Sequence, residues 1–119
     1  MSQGPRRHLR LENVDGVTVV SFVESKIVTE ENIQEVGDEL YKLVEDDGHK
    51  SLLLNFGNVQ YLSSAALGKL ITLNKKVQGA SGKLVLCNID ANIREVFEIT
   101  RLDKLFVIKG DEQDGLQAF

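Results

Sequence analysis

The chain is predicted to fold as a single α/β domain, with a mostly parallel sheet of four to five strands, an opening hairpin and about four helices. Three observations carry this expectation. Two strand-like segments flank Asp15-Gly16, a dipeptide suited to a tight hairpin turn because both central residues need positive φ. Short apolar runs over 51–55, 83–87 and 105–108 alternate with segments of helical periodicity. Finally, 119 residues can bury a core without disulfide or metal staples. Strands that alternate with helices pair in parallel, since each crossover returns the chain to the same end of the sheet.

Taken in order, residues 1–6 contain Gly4 and Pro5 and are expected to be disordered, leaving 7–119 as the domain. Residues 8–14 and 17–22 form the hairpin strands. Thr29 is a good N-cap for the first helix, and Glu30 and Glu31 suit the positive end of its dipole. Ile33, Val36, Leu40, Leu43 and Val44 recur at helical spacing and define the buried face. Gly37 falls on that face, which implies a close approach to the sheet; Gly48 should end the helix. A strand over 51–55 precedes a second helix over 64–78, capped by Ser63 and stopped at Gly79. Strand 83–87 follows. Asp90 caps a third helix with Ile93, Val96 and Phe97 as its stripe, and 105–108 is the last strand. Residues 111–119 read as a short final helix, with fraying as the competing outcome.

Composition removes several function classes. Eighteen acidic against fourteen basic residues give a net charge of −4, the wrong balance for direct nucleic-acid binding. Arg6, Arg7 and Arg10 read as a solvated terminus. There is neither an apolar run long enough for a membrane span nor a signal-peptide layout. A lone cysteine, Cys87, cannot form a disulfide within the chain, which fits a reducing cytoplasm. No metal site is expected: His8 and His49 lie far apart, and the acids of Glu45-Asp46-Asp47-Gly48-His49 are consecutive rather than convergent, as in a solvated helix end. Gly79-Ala80-Ser81-Gly82-Lys83 precedes a strand, the wrong order for a phosphate-binding loop. Without nucleophile-elbow glycines around Ser64, no catalytic residue and no cofactor are assigned, and the chain is read as a non-enzyme.

The stretch from Leu52 to Gly68 organises the rest. It begins as a buried strand, turns through Gly57-Asn58, and starts a helix at two adjacent serines. Ala66, Leu70, Leu73 and Val77 face the core, which places Ser64, Gly68, Thr72 and Lys75 on the opposite side. Ile71 projects beside Ser64, either as part of a docking face or as packing at the core edge. Ser63, Ser64, Gly68, Ile71, Thr72 and Lys75 are the candidate partner-binding residues. A phosphate on Ser64 would sit where free backbone N–H groups favour negative charge.

The run Leu54-Asn55-Phe56-Gly57-Asn58-Val59-Gln60-Tyr61-Leu62-Ser63-Ser64-Ala65-Ala66-Leu67-Gly68 resembles the signature of STAS domains, the family of bacterial anti-sigma factor antagonists. The segments 82–87 and 93–106 agree with it, so the resemblance spans nearly the whole chain. It implies a STAS-like fold and a phosphorylation-controlled binding module. The unmodified domain would bind an anti-sigma factor that is also a serine kinase, phosphorylation at Ser64 would release it, and a phosphatase would reset it. Ser63 is the competing acceptor, but an N-cap hydroxyl is already engaged with backbone N–H groups. The family often carries aspartate before the acceptor, glycine two residues after it and aspartate at the end of the preceding strand; here these are Ser63, Ala66 and Asn55. Two other readings stand beside the switch: an unmodified STAS scaffold in a stress-sensing or lipid-trafficking complex, and a small-ligand or nucleotide-binding module using the crevice beyond parallel strand ends.

Overall fold

Asp15 and Gly16 both adopt positive φ, 53° and 87°, and join β1 (Leu9–Val14) to β2 (Val17–Phe22) in antiparallel register, Val14 facing Val17. The computed structural model describes residues 8–119; the disorder expected for 1–6, and Arg6 and Arg7 of the basic cluster, lie outside the described residues. After the hairpin come β3 (Lys26–Ile27), α1 (Glu30–Glu45), β4 (Ser51–Asn55), β5 (Tyr61–Leu62), α2 (Ser64–Gly79) and β6 (Lys83–Cys87). The chain closes with α3 (Ala91–Ile99), a 3-10 turn (Leu102–Lys104), β7 (Val107–Lys109) and α4 (Glu112–Gln117).

The main sheet has the order β1-β2-β4-β6-β7, parallel throughout except for the hairpin. Its central strands are buried on both faces, which explains their unbroken apolar runs. Leu52 and Leu54 of β4, with Leu84 and Leu86 of β6, point into the larger core under α1, α2 and α3. Leu53, Val85 and Cys87 alternate to the other face, where Leu116 and Phe119 pack on them. The final helix therefore exists because the sheet has a second apolar face to cover. Burial in that layer pushes the Cys87 thiol up to about 12, aided by the charges of Glu112 and Asp111, so the thiol is inert.

The caps are where the side chains predict them. Thr29 accepts the Asn32 N–H, Ser63 that of Ala66 and Asp90 that of Asn92. Five details differ from expectation. A Cβ at Gly37 would lie 2.8 Å from Cδ of Lys69, so the close approach is between α1 and α2 rather than between helix and sheet. The first helix ends at Glu45, and Gly48 supplies the φ of 72° that lets the His49 N–H turn back to the Leu43 carbonyl. Gly79 stays helical; the left-handed residue that stops α2 is Ser81, φ 61°. Val96 is 37% exposed, because α3 touches the core along the single line of Ile93 and Phe97. Residues 105 and 106 continue the 3-10 turn, their N–H groups bonded to the Leu102 carbonyl, so the last strand starts at Val107.

Candidate functional site

The serine turn is built by a segment that sequence periodicity does not reveal. Two-residue strands β3 and β5 pair in parallel, Lys26 with Tyr61 and Ile27 with Leu62, in a small sheet separate from the main one. Asn58 donates through Nδ2 to the carbonyls of Phe22 and Val23, and the Gln60 N–H donates to Ser25, so the 57–62 turn is tied to the chain that follows the hairpin. At its start, Asn55 Oδ1 accepts the Gly57 N–H at 2.8 Å and the Asn88 amide at 3.2 Å, while its own Nδ2 donates to Glu112 at 3.0 Å. Phe56 stacks on Phe22 beneath it, with centroids 4.9 Å apart.

This frame delivers the two serines in different states. Ser63 is half-buried, donates its N–H to the Ile27 carbonyl and accepts the Ala66 N–H on Oγ at 3.2 Å. Ser64 is exposed as the first residue of α2. The spacing of β3, which fixes Ser63 through a backbone bond, thus leaves the next hydroxyl facing solvent. Gly68, Thr72 and Lys75 are exposed on the same helix. The Thr72 hydroxyl is turned back to the Gly68 carbonyl at 3.2 Å. Ile71 is half-buried and packs against the margin of the core, so it borders the exposed face rather than standing on it.

Beside the serines a groove of about 470 Å³ runs between the first turns of α1 and α2, lined by Val28, Glu30, Ile33, Gln34, Ser63, Ser64, Ala65 and Lys69. Val28, 47% exposed, gives the groove an apolar wall, and on β5 Tyr61 is 55% exposed with the Lys26 ammonium 5.4 Å from its ring centroid. Sequence reasoning missed these α1 and β3 residues, because they join the serines only through the α1–α2 packing and the β3–β5 pairing.

Among the described residues, no group of three or more His, Cys, Asp or Glu side chains is arranged to hold a metal ion. Glu45 instead pairs with Lys76 at 2.6 Å, and His49 Nδ1 meets the buried Thr18 hydroxyl at 2.9 Å. Among them, no helix is long and apolar enough to cross a membrane.

The family model of the STAS domain matches residues 8–115. BtrV of Bordetella bronchiseptica, provisionally named an anti-sigma factor antagonist, is 29% identical over 111 residues, 93% of each chain. The anti-sigma-B factor antagonist of Staphylococcus aureus is 28% identical over 103 residues, 84% of this chain and 95% of its own. Among solved structures, the Bacillus cell fate determinant SpoIIAA in its phosphorylated form superposes with a TM-score of 0.68 at 16% identity, over 93% of this chain and 99% of that one. With its parallel sheet, its serine turn at the start of α2 and a family match along almost its whole length, this chain belongs to the STAS domain family.

Proposed function

We propose that this chain is an anti-sigma factor antagonist, a binding protein that holds an anti-sigma factor with serine-kinase activity while unmodified and releases it once Ser64 is phosphorylated. The observation that carries this reading is the division of labour between the serines: Ser63 Oγ is occupied by the Ala66 N–H, whereas Ser64 is open to solvent. The names of the two relatives point to the same class of partner, and SpoIIAA, similar in fold, is known in a phosphorylated form.

In the forward step Ser64 Oγ attacks the γ-phosphorus of a nucleoside triphosphate. An O–P bond forms, the bond to the departing nucleoside diphosphate breaks, and the hydroxyl proton passes to a base on the kinase. A phosphatase reverses the modification by hydrolysing the ester to serine and inorganic phosphate. The product carries about −1.5 to −2 charges at neutral pH. At the start of α2 the dipole favours such charge by about 0.3–2 kcal/mol, so the domain stays folded. A partner docked over Ser64, Gly68, Thr72 and Lys75, against the margin at Ile71 and Ser63, instead meets a hydrated dianion. Mismatched charge across an interface costs several kcal/mol, and about 1.4 kcal/mol is tenfold in affinity. The interface effect wins.

The test replaces Ser64 with aspartate and with alanine and measures melting temperature together with partner capture from the source cell, followed by mass spectrometry. The reading expects S64D to fold normally but lose an anti-sigma factor that the parent and S64A retain. Equal capture by all three, or an unfolded S64D, would overturn it.

A further inference from the structure

Within the groove beside Ser64, Lys69 is half-buried and its stem lies against Gly37 of α1, where any Cβ would come within 2.8 Å of Lys69 Cδ. The absent side chain at position 37 leaves the channel that the lysine occupies. Its ammonium donates to Gln34 Oε1 at 3.1 Å and lies 5.9 Å from the Tyr41 ring centroid. Gln34 is itself held in place, its Nε2 donating to Asp38 Oδ1 at 3.0 Å. Two turns further along α2, Lys76 is held differently, by the Glu45 carboxylate at 2.6 Å. Lys69 is therefore parked on a neutral amide oxygen, a weaker partner than any ionised oxygen.

We propose that Lys69 is the counter-ion of phosphoserine at position 64, leaving Gln34 for the phosphate once the hydroxyl is modified. This inference rests on the reading of Ser64 as the phosphoacceptor. The two residues are five apart on α2, about 7.5 Å along the axis and about 140° around it, so they meet not along one stripe of the helix but across the groove that both line. Helical side chains lean toward the N-terminus, so the Lys69 stem is inclined toward the serine end. Four rotatable bonds let the ammonium swing without moving the helix. Glu30, also on the groove wall, carries the same sign of charge as the phosphate and repels it toward the α2 side, where Lys69 stands. The movement changes the groove twice over: a dianion arrives at its mouth, and the cation that a partner would have met there is neutralised.

The experiment uses the full 119-residue chain with phosphoserine installed at position 64 by genetic-code expansion, and follows the second ionisation of the phosphate by ³¹P NMR across pH. A neighbouring ammonium favours the dianion and lowers that pKa, ordinarily near 6. The parent is expected to titrate about half a unit below K69Q, a modest shift for a half-buried charge pair. K75Q, on the exposed face of α2, should titrate as the parent does, and Q34L should keep the parent's shift. Identical titration in the parent and K69Q, an equal effect of K75Q, or loss of the shift in Q34L would each overturn the proposal. Because the phosphate is installed directly, these results do not depend on any kinase acting at Ser64; failure of the switch reading shows in partner capture instead.

Discussion

His8 Nδ1 lies 2.6 Å from Glu24 Oε2, and the opposite ring nitrogen lies 2.8 Å from Glu35 Oε1 and 3.8 Å from Glu39 Oε2. A buried imidazole thus ties the start of β1 to the chain after β2 and to α1, the helix that forms one wall of the serine groove. Burial by itself lowers the pKa of this ring. The hydrogen bonds to Glu24 and Glu35, with the charges of Glu24 and Glu39, outweigh it and raise the value above the ordinary 6.5. A group whose folded pKa is raised stabilises fully below its unfolded pKa and loses that contribution as pH rises through the folded one. The melting temperature should therefore fall as pH climbs from about 6.5 through the raised value. In H8Q that slope should flatten, and the variant should melt below the parent at pH 6. Calorimetric melts from pH 5.5 to 9 check both.

The two serines should separate cleanly in denaturation experiments. S63A removes the Oγ that accepts the Ala66 N–H, and loss of an N-cap costs about 0.5–2 kcal/mol. S64A alters an exposed hydroxyl and should stay within about 0.5 kcal/mol of the parent. Urea unfolding of both gives the comparison.

Asn55 and Glu112 form a matched donor and acceptor between the serine turn and α4. In N55D an acid replaces the donor and faces Glu112, which should cost about 1–3 kcal/mol through the lost hydrogen bond and like-charge contact. E112Q restores a donor opposite the new acid, so the double variant should recover most of the loss. A coupling energy of about 0.5–3 kcal/mol in the double-mutant cycle is expected.

Two glycines should respond in opposite directions. A Cβ on Gly82 would stand 2.3 Å from the Lys50 carbonyl oxygen, which also accepts the Lys83 N–H. Backbone must shift, and G82A should lose about 1–3 kcal/mol. Gly68 is exposed in mid-helix with nothing near its would-be Cβ. G68A should gain about 0.5–1 kcal/mol from reduced backbone entropy while weakening partner capture, since it adds bulk to the proposed docking face. Chemical denaturation and pull-down on the same samples read both effects.

Much of this architecture is written locally. Asp15-Gly16 dictates a hairpin because the turn needs two positive φ values, and the caps at Thr29, Ser63 and Asp90 need only their own side chains and the next three residues. Element ends shifted by a few residues for local reasons, at Gly48, at Ser81 and at the start of β7, whereas the larger misses fell where a neighbour distant in sequence decided the outcome. Gly37 makes room for Lys69, not for the sheet, and nothing within one helix indicates which element packs on it. Two-residue strands such as β3 and β5 carry too few positions to show any alternation, so their pairing was invisible. His8 looked isolated because its three carboxylates reside on other segments.

The sequence by itself therefore determined the order of the helices and of the five main-sheet strands, the serine turn and which face of α2 is apolar, since periodicity, capping and turn chemistry act over a few residues. Only the tertiary structure decided what surrounds that turn: the groove against α1, the lysine parked on Gln34, the Asn55 link to α4 and the clamp on His8. Each of these is a contact between segments far apart along the chain, fixed by how helices pack on a common sheet rather than by the preferences of any one segment.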